Sequence, residues 1–333
     1  MLALSACGSS NKSQSAPPAG STAATTTTAS VPSTAATPPA VAELPAAEHP
    51  RAGEFPAVAG RSLKQLAQLV GATAQLGAST GTYTPGIRRL AFALTDHSQR
   101  YIYAPTAIYI APTPSSRAQG PFLAPADPMG VKPQYRSQQN AGPGGIQAIY
   151  WTRVPVARSG VYDLLALTRV GHRLIGSTGE IAAALTAPIP AVGQRPPAIS
   201  TGTLATVGGN VSLLTTRLPP ESMHSVSFNQ VLGKRPVALL FSTPELCTSR
   251  VCGPVTDIAV QLQHDFGNRI TFIHQEIYVD NQPTKGLRPQ LAAFHIETEP
   301  WLFTINRHGV ITARLEGAFG INEARQAIEA ALR

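Results

Sequence analysis

Three cysteines stand in the 333 residues, at positions 7, 247 and 252. The last two lie in the run Ser242-Thr243-Pro244-Glu245-Leu246-Cys247-Thr248-Ser249-Arg250-Val251-Cys252-Gly253-Pro254, with four residues between them. Before them comes Pro236-Val237-Ala238-Leu239-Leu240-Phe241, the continuous apolar stretch of a strand buried on both faces. After them, Val255 to Phe266 has helical spacing. A thiol placed where a strand gives way to a helix meets free backbone N–H groups and the positive end of the helix dipole, and both favour the thiolate. Arg250 is expected to depress the thiol pKa further if it points inward. Residues five apart in a helix are displaced about 7.5 Å along its axis, whereas a disulfide wants its Cα atoms within about 7 Å. Cys247 is therefore expected in the loop before the helix, or else the first turn must unwind on oxidation. Pro254 suits a first helical turn or a kink in a helix begun near Cys247.

Other elements must hold this pair. Beyond the helix the pattern predicts a strand from Ile270 to Val279, a helix over 287–295, a strand from Trp301 to Asn306, a turn at Arg307-His308-Gly309, a strand from Val310 to Leu315 and a closing helix from Asn322 to Leu332. Upstream, Leu63, Leu66, Ala67 and Val70 recur at helical spacing within 61–70. From Tyr83 to about Thr178 the chain reads as strands, around 89–94, 107–110, 148–152 and 162–167, with turn-formers between them. Residues 111–145 read as one long loop.

The C-terminal portion, about 190–333, resembles the thioredoxin-like superfamily in its peroxiredoxin and membrane-tethered thiol-oxidoreductase branch. Val192-Gly193-Gln194-Arg195-Pro196-Pro197 matches the opening phrase of that branch, and Val226-Ser227-Phe228-Asn229-Gln230-Val231-Leu232-Gly233-Lys234 a second phrase. The β-α-β-α-β-β-α order is that of the thioredoxin fold. The resemblance puts Pro300, in Glu299-Pro300-Trp301, at the cis-proline that faces the active-site thiol. It implies a thiol–disulfide oxidoreductase in which Cys247 attacks and Cys252 resolves.

Three alternatives remain open. Cys247-Thr248-Ser249-Arg250-Val251-Cys252 also has the spacing of a peroxiredoxin phrase, although Thr243 lies four residues before the first cysteine where that family places a threonine three before. Sco-like copper chaperones, with C-x-x-x-C and a distant histidine, would make Cys247, Cys252 and His295 the copper ligands, with His274 next. A redox-inactive scaffold with a structural disulfide is the third. Apart from copper no cofactor is expected.

Leu4-Ser5-Ala6-Cys7 resembles the lipobox of bacterial lipoproteins, which implies lipidation of Cys7. Only six residues stand before that cysteine, so the signal is read as truncated. The residues after it are almost all Ser, Ala, Thr, Pro and Gly, a composition that cannot offset its conformational entropy by burial. The expected class is thus an α/β thioredoxin-like fold at the C-terminus, preceded by a small antiparallel β-sandwich and a disordered N-terminal tail. The divisions are a lipobox signal (1–7), a tether (8–45), a short helical lead-in (46–80), an immunoglobulin-like sandwich (81–180), a Pro-rich linker (181–200) and the thioredoxin-like domain (201–333).

The expected location is the extracytoplasmic face of a bacterial cell membrane, held by the lipid, with protein thiols and disulfides or a membrane redox partner as partners. A net charge of +8 is spread singly or in pairs such as Arg88-Arg89, which argues against nucleic acid. Trp301 and Phe303 are read as core, and Glu276, Asp257, His97 and His172 as solvent-facing or capping. His224 lies in a loop before the core.

Overall fold

A computed structural model describes residues 44–333. The lipobox at Cys7 and nearly all of the tether lie outside the described residues. Among the described residues no helix is long and apolar enough to cross a membrane.

The N-terminal part opens with two short helices, α1 (Leu44–Ala47) and α2 (Leu63–Ala67), in place of the longer helix expected over 61–70. Ser62 starts α2 through a reciprocal capping box with Gln65. Nine strands follow: β1 (Ala72–Thr73), β2 (Gln75–Ala78), β3 (Gly86–Thr95), β4 (Thr106–Ala111), β5 (Gln119–Leu123), β6 (Ala126–Pro128), β7 (Ala148–Val156), β8 (Gly160–Val170) and β9 (Arg173–Ala183). They form two sheets, ordered β1-β9-β8-β4-β5 and β2-β3-β7-β6. All neighbours pair antiparallel except β1 with β9. The end of the lead-in is therefore sheet, the loop over 111–145 carries β5 and β6, and the linker from 181 begins inside β9.

The C-terminal part contains α3 (Phe228–Val231), β10 (Val237–Phe241), α4 (Cys252–Phe266), β11 (Thr271–Gln275), α5 (Pro289–Phe294), β12 (Trp301–Ile305), β13 (Ile311–Glu316) and α6 (Ile321–Leu332). Its sheet runs β11-β10-β12-β13, with β10 parallel to β11 and antiparallel to β12, and β12 antiparallel to β13. From β10 onward the order and bounds follow the expectation within a few residues. Ile189 and Ile199, in the stretch read as a linker, are buried in this domain's core beside Phe228 and Phe303.

Strand alternation explains how the layers stack. On β10, Val237, Leu239 and Phe241 face a core with Phe294 of α5, while Ala238 and Leu240 face Val255, Ile258 and Leu262 of α4 and Ile328 of α6. On β3, Leu90, Phe92 and Leu94 pack with Ile108 and Leu164 of the other N-terminal sheet. The intervening Ala91 packs into the same cluster as α4 and α6, together with Met129, Val131, Ile146 and Ile149. The middle of the sheet, at β3 and β7, is thus covered on both faces, and one apolar core belongs jointly to it and to the thiol-bearing helix.

Polar bonds close this junction. Arg89 on β3 forms a two-pronged ion pair with Glu323 on α6, at 2.6 and 2.8 Å. Its guanidinium also donates to the carbonyl oxygens of Glu316 and Ala318. Asp127 on β6 accepts the N–H groups of Asn322 and Glu323 in the first turn of α6, where the helix dipole favours a carboxylate.

Candidate active site

Cys247 lies in the turn after β10 and Cys252 is the first residue of α4. Of the two arrangements open to a C-x4-C pair, the chain takes the one with its first cysteine outside the helix. Pro254 sits in the first turn of α4, where a missing N–H costs no helical bond. Both cysteines are free thiols and both are buried.

A third group stands with them. Ligand atoms of Cys247, Cys252 and Glu299 all lie within 4.8 Å of one another. Glu299 precedes Pro300, and the peptide bond between them is cis. Its Oε2 accepts the N–H of Thr243 at 2.6 Å, which ties the turn before β12 to the end of β10. Sequence reasoning noticed Pro300 and passed over its neighbour. A carboxylate next to a proline assigned to the thiol face was the signal available.

The two sulfurs are tuned in opposite directions. The Cys252 thiol hydrogen-bonds the Cys247 sulfur, and against the cost of burial this bond, the Ser249 hydroxyl and the N–H groups of Cys252 and Val251 bring Cys247 down to about 5. The Ser249 hydroxyl is 3.2 Å from that sulfur. Burial, then the hydrogen bond to Cys247, pushes Cys252 well above its ordinary value. Burial, then the charge of Cys247, pushes Glu299 up to about 8, against the Thr243 N–H and the Cys252 thiol. Cys247 is therefore a thiolate at neutral pH, and Cys252 holds its proton.

The other residues singled out in the sequence divide around this cluster. Thr243 is fully buried and contributes its backbone N–H. Pro300 is buried immediately before β12. Arg250 is exposed, with a positive φ of 56°, and is not among the groups that lower the Cys247 thiol. Its expected part is taken by neutral hydrogen-bond donors. His295 is exposed at the end of α5, outside the group formed by the two sulfurs, where Glu299 stands instead. His97 and His172 are exposed, and Trp301 and Phe303 are core.

Two polar residues, Asp257 and Glu276, are placed otherwise than expected, and a third, His224, lies in its loop but buried. Asp257 is fully buried. It pairs with Arg217 at 2.9 Å and accepts bonds from Ser137 and Asn140 of the N-terminal part. Glu276 is also buried, and its Oε1 accepts the N–H and hydroxyl of Thr216. The same Thr216 hydroxyl receives the N–H of Glu245 in the thiol turn. His224 is buried with Glu221 and His274, both imidazoles meeting Glu221 Oε1 at 2.6 and 2.7 Å. As they stand these contacts are N–H···O bonds of a buried polar triad, and the same three groups lie close enough together to hold a metal ion. Burial opposes the charge on His274, but the Glu221 carboxylate prevails and raises it to about 9. His274 also bonds the carbonyl oxygen and hydroxyl of Ser242, one residue beyond β10, so the triad supports the thiol turn from below.

No protein-family model matches this sequence, and no curated protein matches it. Among solved structures it is similar to a DsbE-type thiol:disulfide interchange protein from Chlorobium tepidum, at 14% identity and a TM-score of 0.31 over 43% of this chain and 99% of that one. It is also similar to a thiol:disulfide interchange protein of the thioredoxin family from Chlorobium tepidum TLS, at 17% identity and a TM-score of 0.27 with the same coverage. The thioredoxin-like description of the C-terminal part rests on its own strand order and directions.

Proposed function

We propose that this chain is a membrane-tethered, extracytoplasmic thiol–disulfide oxidoreductase that works through its C-x4-C pair on protein thiols and disulfides. The observation that carries it is the placing of two unbridged, buried sulfurs in one site, Cys247 in the turn after β10 with the Ser249 hydroxyl 3.2 Å from its sulfur and Cys252 at the first residue of α4, a split that pulls the first thiol down and pushes the second up. Such a split separates the roles: the thiolate attacks a substrate disulfide, and the buried thiol resolves the mixed disulfide. In this proposal the Cys7 lipid holds the chain at the membrane, and the N-terminal sheets serve as an immunoglobulin-like spacer or docking module.

The test is thiol counting by alkylation and mass spectrometry on the whole chain across glutathione redox potentials. Interconversion of Cys247 and Cys252 as a pair above about −250 mV, with substrates trapped on a Cys252→Ser variant, supports the reading. A bond that resists reduction below about −300 mV makes the pair structural and ends it. Copper retained through purification would point instead to metal binding at the two sulfurs with Glu299.

A further inference from the structure

A cleft of about 770 Å³ lies between the start of β3, the passage over 185–192 and the edge strand β13. Cavities of about 300–1,000 Å³ are the size that takes a small organic ligand. Neither sulfur lines this one, so what it holds is separate from the redox reading. Four arginines reach it, Arg88, Arg89, Arg153 and Arg314, against two carboxylates, Glu316 and Glu323. Both carboxylates are already occupied. Glu323 holds Arg89, and Glu316 accepts the N–H groups of Gly81 and Thr82 at 2.9 and 3.0 Å. Arg88, Arg153 and Arg314 are left without an ion pair among the described residues.

These cations are held together against repulsion. Arg153 on β7 stands directly opposite Arg89 on β3, where like charges weaken the pairing. Arg88 is near enough to Arg314 to oppose its charge. Arg314 is anchored without being neutralised. Its guanidinium donates to the carbonyl oxygens of Ile189 and Pro190 at 3.2 and 3.3 Å and lies over the Trp301 ring, 5.6 Å from its centre. Arg88 is likewise folded onto neutral acceptors, the carbonyl oxygens of Thr84 and Pro85. Guanidiniums fixed in this way keep their charge and spare N–H donors for a carboxylate or phosphate. Beside them the lining is apolar. Ile87, Leu185 and Val192 are 61, 74 and 58% exposed, three of the eight large hydrophobic side chains most open to water among the described residues. Single exposed hydrophobics need no explanation, but three gathered at one basic cleft mark a surface that a ligand covers.

We infer that this cleft binds a small amphiphilic anion, a carboxylate or phosphate carried on an apolar body, of which a single acyl chain is the simplest form. The head sits among Arg88, Arg153 and Arg314, and the body covers Ile87, Leu185 and Val192.

The experiment is calorimetric titration of the whole chain with octyl phosphate, kept below its micelle concentration. Octyl phosphate is expected to saturate one site per chain, with inorganic phosphate and 1-octanol each at least about tenfold weaker, since each lacks one half of the match. Arg314→Gln and Arg153→Gln should each weaken octyl phosphate by about tenfold, the size of one charge-assisted hydrogen bond, and leave 1-octanol within about twofold. Leu185→Ser should weaken octyl phosphate by at least about threefold. Arg153 and Leu185 are exposed, so these two variants keep the test open if Arg314→Gln fails to fold. Absence of saturable octyl phosphate binding overturns the inference, as does binding that Arg153→Gln and Leu185→Ser leave unchanged. Inorganic phosphate bound as tightly as octyl phosphate makes this a plain phosphate site, and 1-octanol bound as tightly makes it an apolar one; either result overturns the amphiphile. Sedimentation with phosphatidylglycerol vesicles without binding of monomeric octyl phosphate would make the arginines a membrane-facing patch and overturn it too.

Discussion

Cys247 owes its acidity to short-range donors, and the Cys252 thiol leads among them. Removing that thiol should therefore move the titration of its neighbour. The iodoacetamide rate of wild-type Cys247 should rise through a midpoint near 5 and be flat by neutral pH. Cys252→Ala should shift that midpoint upward by at least one pH unit, while Cys252→Ser, which keeps an O–H donor, should shift it less. Equal profiles for the two variants would remove the hydrogen bond as the cause. Arg250→Ala should leave the midpoint in place, since that side chain is exposed. The cysteines themselves were legible because their spacing and the flanking apolar run are local. Glu299 was not, because its neighbourhood with Cys247 is made by β10 and β12 lying side by side, a pairing no local pattern records.

The elements that hold the site are fixed by buried charge as much as by apolar packing. Glu221, between two imidazoles, is the clearest case. Glu221→Gln strands a buried imidazolium, and should cost about 3–5 kcal/mol in chemical denaturation. The sign of the pH effect follows from His274, whose value rises from 6.5 in the unfolded chain to about 9 in the fold. Its stabilisation is complete below about 6.5 and is lost as the pH rises through about 9. Unfolding free energies measured at both ends of that window should fall in the wild type, and fall much less in a Glu221→Gln/His274→Gln double variant. Strands β3, β4, β7 and β8 were legible from their apolar runs. The second half of β9, rich in small and polar residues, was not, and β5 and β6 were hidden by Gly120, Pro121 and Pro128. Asp257 reads as solvent-facing or capping in the sequence, and nothing local marks Arg217 or Glu221, because burial is a tertiary fact.

At the scale of the whole chain, the two parts share a core. Ile149 and Met129 of the N-terminal sheets pack among the apolar residues of α4 and α6, and Arg89 spans to Glu323 with both side chains mostly buried. Arg89→Ala should lower global stability by about 3 kcal/mol, since it leaves the Glu323 carboxylate buried without its partner. A fragment of residues 190–333 would expose the outer faces of α4 and α6, and should elute as aggregate or unfold at far lower urea than the whole chain. A fragment as stable as the whole chain would show that the joint core contributes nothing. The sequence displayed the apolar period of α4 but could not show that a β-sheet from the first half of the chain covers it.

Helix α4 is pinned by the loop between β6 and β7 and by Arg217. A Cβ placed on Gly253 would run into the carbonyl oxygen of Gln139, Asp257 is held by Ser137, Asn140 and Arg217, and Gln261 accepts the N–H of Lys132. The thiol turn over 243–251 carries lighter restraints, chiefly the Thr243 and Glu245 amides. If the sulfurs join as proposed, the helix is the fixed part and the turn the part that must move. The reduced and oxidised forms would thus present one constant helix and two shapes of a single loop, so a partner that reads that loop can tell a spent molecule from a charged one without touching either sulfur.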